Sequence, residues 1–266
     1  KTMPPEQKRR YNRHIILDGF GTLGQEKLLS AKVLIIGAGG LGAPCALYLA
    51  AAGVGTIGIA DADLVSLSNL QRQVIHFSTD AGQMKVTSAK EKIERLNPEI
   101  HVEAIPHYIT AANALETLKP YDFIIDATAS FASKYLINDA CVLLGKPFCT
   151  AGIVRYSGQL MTHVPGSACY RCLFPEPPQE NQVETCSMVG VLGSAVGTMG
   201  TLQATEAIKY ITGVGQLLTN AVLTFDALTL SFQRFDVEAN IDCALCGPHA
   251  TIHELNEYSF QPCRKS

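Results

Sequence analysis

From Val33 to Ala60 the chain carries no charged residue, a length that in an unbroken apolar helix would suffice to cross a membrane. Gly37, Gly39, Gly40, Gly42, Pro44, Gly53, Gly55 and Gly58 break that run. Its two ends, Val33–Ile36 and Thr56–Ala60, are short β-type segments, and the middle, Gly42–Ala52, is rich in Ala and Leu. The run therefore reads as strand, glycine turn, helix and strand, buried between other layers rather than in lipid. Such a unit places its two strands parallel and needs helices on both faces of the sheet.

The rest of the chain repeats the alternation. Helical patterns fall at 82–96 and 133–144, and strands at 101–106, 123–125 and 147–150. The second half changes character. Strands at 159–164, 222–226 and 232–237 read as antiparallel, and a small-residue helix spans 190–211 after a Pro-rich loop at 175–187. The expected fold is α/β: a Rossmann-like, doubly wound, mostly parallel sheet with an antiparallel C-terminal extension. No linker divides the 266 residues, so one domain is expected, with an N-terminal helical arm at 1–30 and a peripheral tail at 248–266. A net charge of −3 offers no field for nucleic acid or an anionic membrane, so neither is expected as a partner. Nine cysteines, an odd number, fit thiols or metal ligands in a reducing cytoplasm better than a disulfide framework.

The turn Gly37-Ala38-Gly39-Gly40-Leu41-Gly42 follows a strand and opens a helix. Glycines let the backbone approach a phosphate, and the helix N-terminus favours its charge. Asp61 closes the next strand, where a carboxylate can accept hydrogen bonds from ribose hydroxyls. Asp63 stands beside it, as a second polar ligand or as a turn cap. Arg72 and Lys85 come next; a hydride-transfer cofactor has little use for them, but a triphosphate attacked at its α-phosphorus needs cations as pyrophosphate leaves. The pairs Cys169-Tyr170-Arg171-Cys172 and Cys243-Ala244-Leu245-Cys246 can close a tetrahedral structural zinc site. Cys45, Cys141 and Cys149 sit in apolar stretches and are expected in the core, whereas Cys263 lies in the tail and receives no role.

Several of these motifs, in order, resemble the ThiF/MoeB/HesA family, bacterial relatives of ubiquitin-activating enzymes, most closely its ThiF-like members. They are Arg10-Tyr11-Asn12-Arg13, Gly37–Gly42, Asp61–Gln73, Lys85 and the two Cys-x-x-Cys pairs, covering residues 8 to 247. The resemblance implies an adenylation domain that binds ATP and Mg²⁺, and adenylates the C-terminal Gly-Gly carboxylate of a ubiquitin-like sulfur carrier of ThiS or MoaD type. Thiamine or molybdopterin biosynthesis would be served. It implies that Gly37, Gly39, Gly40, Leu41 and Gly42 line the nucleotide, with Asp61 on the ribose and Asn69, Arg72, Gln73 and Lys85 around the phosphates. It further implies a homodimer in which Arg13 reaches the neighbour's triphosphate, and a separate sulfur donor. Cys186 matches a position tied to thioester or persulfide chemistry in some members; as a loop thiol near a helix N-terminus it is expected to have enhanced thiolate character.

One departure stands out. The family's fourth strand ends in Asp-x-Thr-Asp-Asn, and this chain reads Asp126-Ala127-Thr128-Ala129-Ser130. The second Asp is the implied Mg²⁺ ligand, and Ala129 replaces it. An introduced substitution and natural divergence both account for this, and either leaves turnover by this chain open. Two further readings stand beside the adenylyltransferase: a catalytically silent carrier- or nucleotide-binding protein, and an NAD-dependent dehydrogenase.

Overall fold

The computed structural model describes residues 2–178 and 186–258. The N-terminal arm folds as α1 (Pro5–Arg10), α2 (Asn12–Ile15) and α3 (Gly21–Ser30). The alternating body follows as β1 (Lys32–Ile36), α4 (Gly42–Ala52), β2 (Thr56–Ala60), α5 (Lys85–Leu96), β3 (His101–Ile105), α6 (Ala114–Leu118), β4 (Phe123–Asp126), α7 (Phe131–Leu144) and β5 (Phe148–Val154). The C-terminal part adds β6 (Ser157–His163), α8 (Tyr170–Leu173), α9 (Cys186–Val189), α10 (Gly193–Thr212), β7 (Ala221–Asp226) and β8 (Ser231–Asp236).

All eight strands form one sheet in the order β3-β2-β1-β4-β5-β6-β7-β8. The first five are parallel, and β5 through β8 pair antiparallel. The strand period of two sends alternate residues of β1 into two separate cores. Val33 and Ile35 join α4, α5 and α10 on one face; Leu34 and Ile36 join α6 and α7 on the other. Both faces are covered, which is why the run at 33–36 is apolar without alternation. Chain order reverses between β1 and β4, so a crevice opens beyond their carboxyl ends.

The arm is tied down by one buried side chain. The Tyr11 hydroxyl accepts from Asn97 Nδ2 at 2.8 Å, and its ring lies 2.7 Å from where a side chain on Gly53 would begin. Gly53 also ends α4 with φ +89°, so only glycine meets both demands there.

Differences from the expected elements have local causes. The helix expected from 82 starts at Lys85, because Gly82 turns with φ +89° and Lys85 N–H bonds the Asp63 carbonyl at 3.0 Å. The strand expected to stop at 150 runs to Val154, since β6 pairs along its whole length. The loop expected through 187 ends earlier, with Cys186 opening the one-turn α9; residues 179–185 of it lie outside the described residues. Two short helices, α6 and α8, had no sequence signal long enough to be noticed. In the tail, Ile252, Leu255 and Tyr258 pack on the body, and Tyr258 donates to Asp139 at 2.7 Å, so 248–258 is more closely applied than a peripheral segment; Cys263 lies outside the described residues. Cys45, Cys141 and Cys149 are core residues, as expected.

Phe123, the first residue of β4, is fully buried. Phe123→Ala is expected to lower the unfolding free energy by about 3–5 kcal/mol, read from the denaturant midpoint.

Candidate nucleotide site and cysteine centre

The glycine turn is fixed from several sides. Gly37 has φ +107°, and a side chain there would begin 2.6 Å from the Ala127 carbonyl oxygen. Gly42 accepts still closer approach: its hypothetical Cβ would fall 1.9 Å from the Gly37 carbonyl. Between them, Ala38 N–H donates to Asp61 Oδ2 at 2.8 Å, while Asp61 Oδ1 receives Asp63 N–H at 2.8 Å. The Ala38 carbonyl accepts from His76 Nε2 at 2.8 Å. A carbonyl only accepts, so His76 carries its proton on Nε2, and Nδ1 takes the Ser88 hydroxyl hydrogen at 2.8 Å. Ser88 Oγ in turn accepts from Lys92 Nζ at 3.0 Å, and Lys92 pairs with Asp80. All four side chains are buried. Burial also pushes the imidazole of His76 below its ordinary value of 6.5, which keeps it neutral. Sequence gave no hint of this relay; a lone histidine looks the same whether it anchors a loop or fills space.

The turn borders a cavity of about 520 Å³ beyond β1, β2 and β4. Gly37, Gly39, Gly40, Leu41, Asp61, Asp63, Asn69, Arg72, Gln73, Lys85 and Cys186 all line it. Gly42 does not; its role is the close approach to Gly37. Arg13 is exposed on α2, away from this wall. Arg72 lies against Gly40 and donates to the Ser68 carbonyl at 3.1 Å and Gln71 Oε1 at 2.7 Å. Lys85, nearly buried, reaches Asp63 Oδ2 at 3.3 Å, so Asp63 is more than a turn cap. Tyr108 donates to the other Asp63 oxygen, which raises its phenol to about 12. Gln73 is buried on the cavity wall with its Nε2 against Gly39, and its Oε1 has no hydrogen-bond partner. Glycine backbone and cations on one wall suit the phosphates of a nucleoside triphosphate. Tyr108, Thr128 and Lys134, also on the wall, were not singled out in the sequence.

The stretch after β4 fits a metal poorly. Asp126 is fully buried and accepts from Thr128 Oγ1 at 2.6 Å, Thr150 Oγ1 at 2.7 Å and Thr128 N–H at 3.1 Å, so it serves the fold. Ala129 offers no ligand atom. The carboxylates on the cavity wall, among the described residues, are Asp61 and Asp63, each already engaged. Cys186 also corrects an expectation. Its thiol donates to the Ile153 carbonyl at 3.3 Å, and burial raises its pKa, opposite to enhanced thiolate character; α9 is a single turn and supplies no compensating dipole.

A second groove of about 590 Å³ runs over the antiparallel strands and meets the first cavity at Ala129, Lys134, Gly152, Ile153 and Cys186.

Far along the chain, α8 and the segment after β8 bring four thiols together. Cys169, Cys172, Cys243 and Cys246 place their Sγ atoms within 4.8 Å of one another. The Cys169–Cys243 and Cys172–Cys246 separations are 3.7 and 3.4 Å, close to the ~3.8 Å edge of a zinc–sulfur tetrahedron with 2.3 Å bonds. Backbone N–H groups of Asn240 and Cys246 point at Cys172 and Cys243 sulfurs, as they would at thiolates. Such a cluster can hold a zinc ion, and no described histidine is needed to complete it.

A glycine turn at the switch point of a doubly wound sheet, facing two cations, defines a nucleotide-binding α/β protein. The ThiF family model matches residues 11–245, and the chain belongs to that family. It is 43% identical over 259 residues to the sulfur carrier protein adenylyltransferase of Thermus thermophilus, covering 95% of this chain and 96% of that one. It is 44% identical to the SAMP-activating enzyme E1 of Haloferax volcanii, covering 90% and 88%. Against the adenylyltransferase and sulfurtransferase MOCS3 of Sus scrofa it is 44% identical but spans only 55% of that longer chain. Among solved structures, E. coli MccB with ATP superposes with a TM-score of 0.79 at 25% identity, over 92% of this chain and 77% of that one. No described helix is long and apolar enough to cross a membrane.

Removing the imidazole of His76 leaves the Ala38 carbonyl buried without its donor. His76→Ala is expected to weaken nucleotide binding by about tenfold, measured by calorimetric titration. Because folding disfavours the protonated imidazole, the stability that His76 contributes is complete above its ordinary value of 6.5 and fades on acidification below it, and the variant should titrate less steeply there.

Proposed function

We propose that this chain, as a single adenylation domain over 1–266, is an ATP-dependent adenylyltransferase acting on the C-terminal glycine of a ubiquitin-like sulfur carrier. The observation that carries the reading is the cavity itself: glycine backbone, Asp61 and two cations on one wall, joined to a groove of about 590 Å³ over the antiparallel strands. The names borne by the Thermus and Haloferax relatives support it. The carrier's carboxylate oxygen attacks the α-phosphorus, the bond to the bridging oxygen breaks, and pyrophosphate departs with the electron pair. An acyl-adenylate remains for later conversion to a thiocarboxylate by sulfur from a separate donor.

Each residue has a part. Gly37 to Leu41 give close backbone approach, and Gln73 stands beside Gly39 on the cavity wall. Asn69, whose Oδ1 accepts Ser66 N–H at 2.9 Å, fixes the loop that presents Arg72. Arg72 and Lys85 neutralise charge that builds on the departing pyrophosphate. Lys85 would exchange its contact with Asp63 for one with phosphate. Arg13, exposed on α2, is free to enter a second subunit's site in a homodimer. Cys186 acts as a neutral wall between cavity and groove rather than as a nucleophile. Ala129 supplies no metal ligand, and Asp126 is committed to the fold, so this stretch is a poor seat for magnesium. The four-cysteine centre would hold zinc structurally, pinning the segment after β8 to α8; its thiols call for a reducing compartment, the cytoplasm.

Ala129 also favours a second reading, a protein of the same fold that binds carrier or nucleotide without turnover. Pyrophosphate release with purified ThiS- and MoaD-type carriers separates the two. Steady release with one carrier is expected; release with neither, from protein shown to bind ATP, would favour the silent reading. Ala129→Asp adds a carboxylate beside the phosphates and is expected to raise the rate about tenfold or more in magnesium, and not in its absence. For the cysteine centre, one zinc per chain is expected by elemental analysis. Cys243→Ser should lose it together with several degrees of melting temperature.

A further inference from the structure

The groove and the nucleotide cavity share one charged side chain. Lys134 lines both, and it is the sole cation on the groove wall among the described residues. It stands one turn into α7 and is 7% exposed. Its ammonium donates to the Ala151 carbonyl at 2.6 Å and approaches Asp126 Oδ2 only to 3.4 Å. Asp126 satisfies itself with shorter bonds from two threonines. Of three N–H donors on Lys134, then, one is well used, one is loosely used and one is spare. The neighbours at the junction are Ala129, Gly152, Ile153 and Cys186, none of which can compensate an anion. Arg72 and Lys85 stand on the cavity wall alone, at the glycine turn and at Asp63.

Any carboxylate that travels down the groove must shed water where the two spaces meet. That loss is costly unless a cation and hydrogen bonds replace the water. We propose that Lys134 receives the C-terminal carboxylate of the incoming protein and holds it facing the α-phosphorus. This rests on the adenylation reading above. The ammonium keeps its proton throughout: the carboxylate oxygen bonds to phosphorus, the bond to pyrophosphate breaks, and Lys134 transfers from the free carboxylate to the carbonyl oxygen of the acyl-adenylate. Selection for a free acid terminus follows, since an amide brings no charge to pair.

The test compares carriers of ThiS and MoaD type made with a free or an amidated C-terminal glycine. Pyrophosphate release by the native protein with the free-acid carriers comes first; release with neither overturns the adenylation reading and this proposal with it. With the active carrier, calorimetry without nucleotide is expected to show the native protein preferring the acid by about 10- to 100-fold. Lys134→Gln, which keeps a donor for Ala151, should bind acid and amide alike, and Lys134→Arg should retain most of the preference. Both variants should bind a non-hydrolysable ATP analogue as the native protein does. A preference that survives in Lys134→Gln overturns the assignment. So does a loss of ATP-analogue affinity in that variant, which would put the ammonium on the phosphates. Should Lys134→Gln fail to fold, the native protein still decides: pyrophosphate released with the free-acid carrier, together with equal calorimetric affinity for acid and amide, overturns the Lys134 assignment alone.

Discussion

The two hydrogen bonds that hold Ala38, one from its N–H to Asp61 and one to its carbonyl from His76, set the shape of the whole site. Between them they fix a glycine turn that no side chain could otherwise brace, because the residues around it cannot have one. The carboxylate orders the turn through one oxygen and the Asp63 backbone through the other. The imidazole passes the constraint on to Ser88, Lys92 and Asp80, deep in the layer of α5. A glycine turn held this way is organised before any ligand arrives, which lowers the entropy to be lost on binding.

Charge around the cavity is divided by position. Cations stand by the turn and by Asp63, where phosphates would lie, and one more stands at the mouth of the groove. Between the two groups the wall is small, apolar or neutral, including Cys186, whose thiol is held protonated by burial. That arrangement suits a reaction whose two reactants are both anions and must be brought together without water. It also shows what Ala129 changes: the segment after β4 keeps its fold through Asp126 and Thr128 and contributes no carboxylate to the cavity.

Most of the site was legible in the sequence because its residues are clustered in short motifs. The turn at 37–42, the pair Asp61 and Asp63, and the stretch Asn69–Gln73 are each local, so adjacency along the chain becomes adjacency in space. Lys134, Tyr108 and His76 were not legible for the opposite reason. Each is an isolated polar residue in an unremarkable stretch: Tyr108 and Lys134 reach the cavity wall only in the folded chain, and His76 braces the turn from its buried side. The thiol of Cys186 was misjudged because its pKa follows from the Ile153 strand that buries it.

The periodicity of apolar residues, the glycines that no other residue can replace, and the spacing of the two cysteine pairs were set by the order of amino acids alone, since each depends on neighbours a few bonds apart. The parallel-to-antiparallel change in the sheet could be read the same way. Which side chains face one another across the crevice, which carboxylates are already satisfied, and where the groove meets the cavity were decided only in three dimensions. Those properties depend on desolvation and on contacts between residues a hundred positions apart, and no local pattern encodes them.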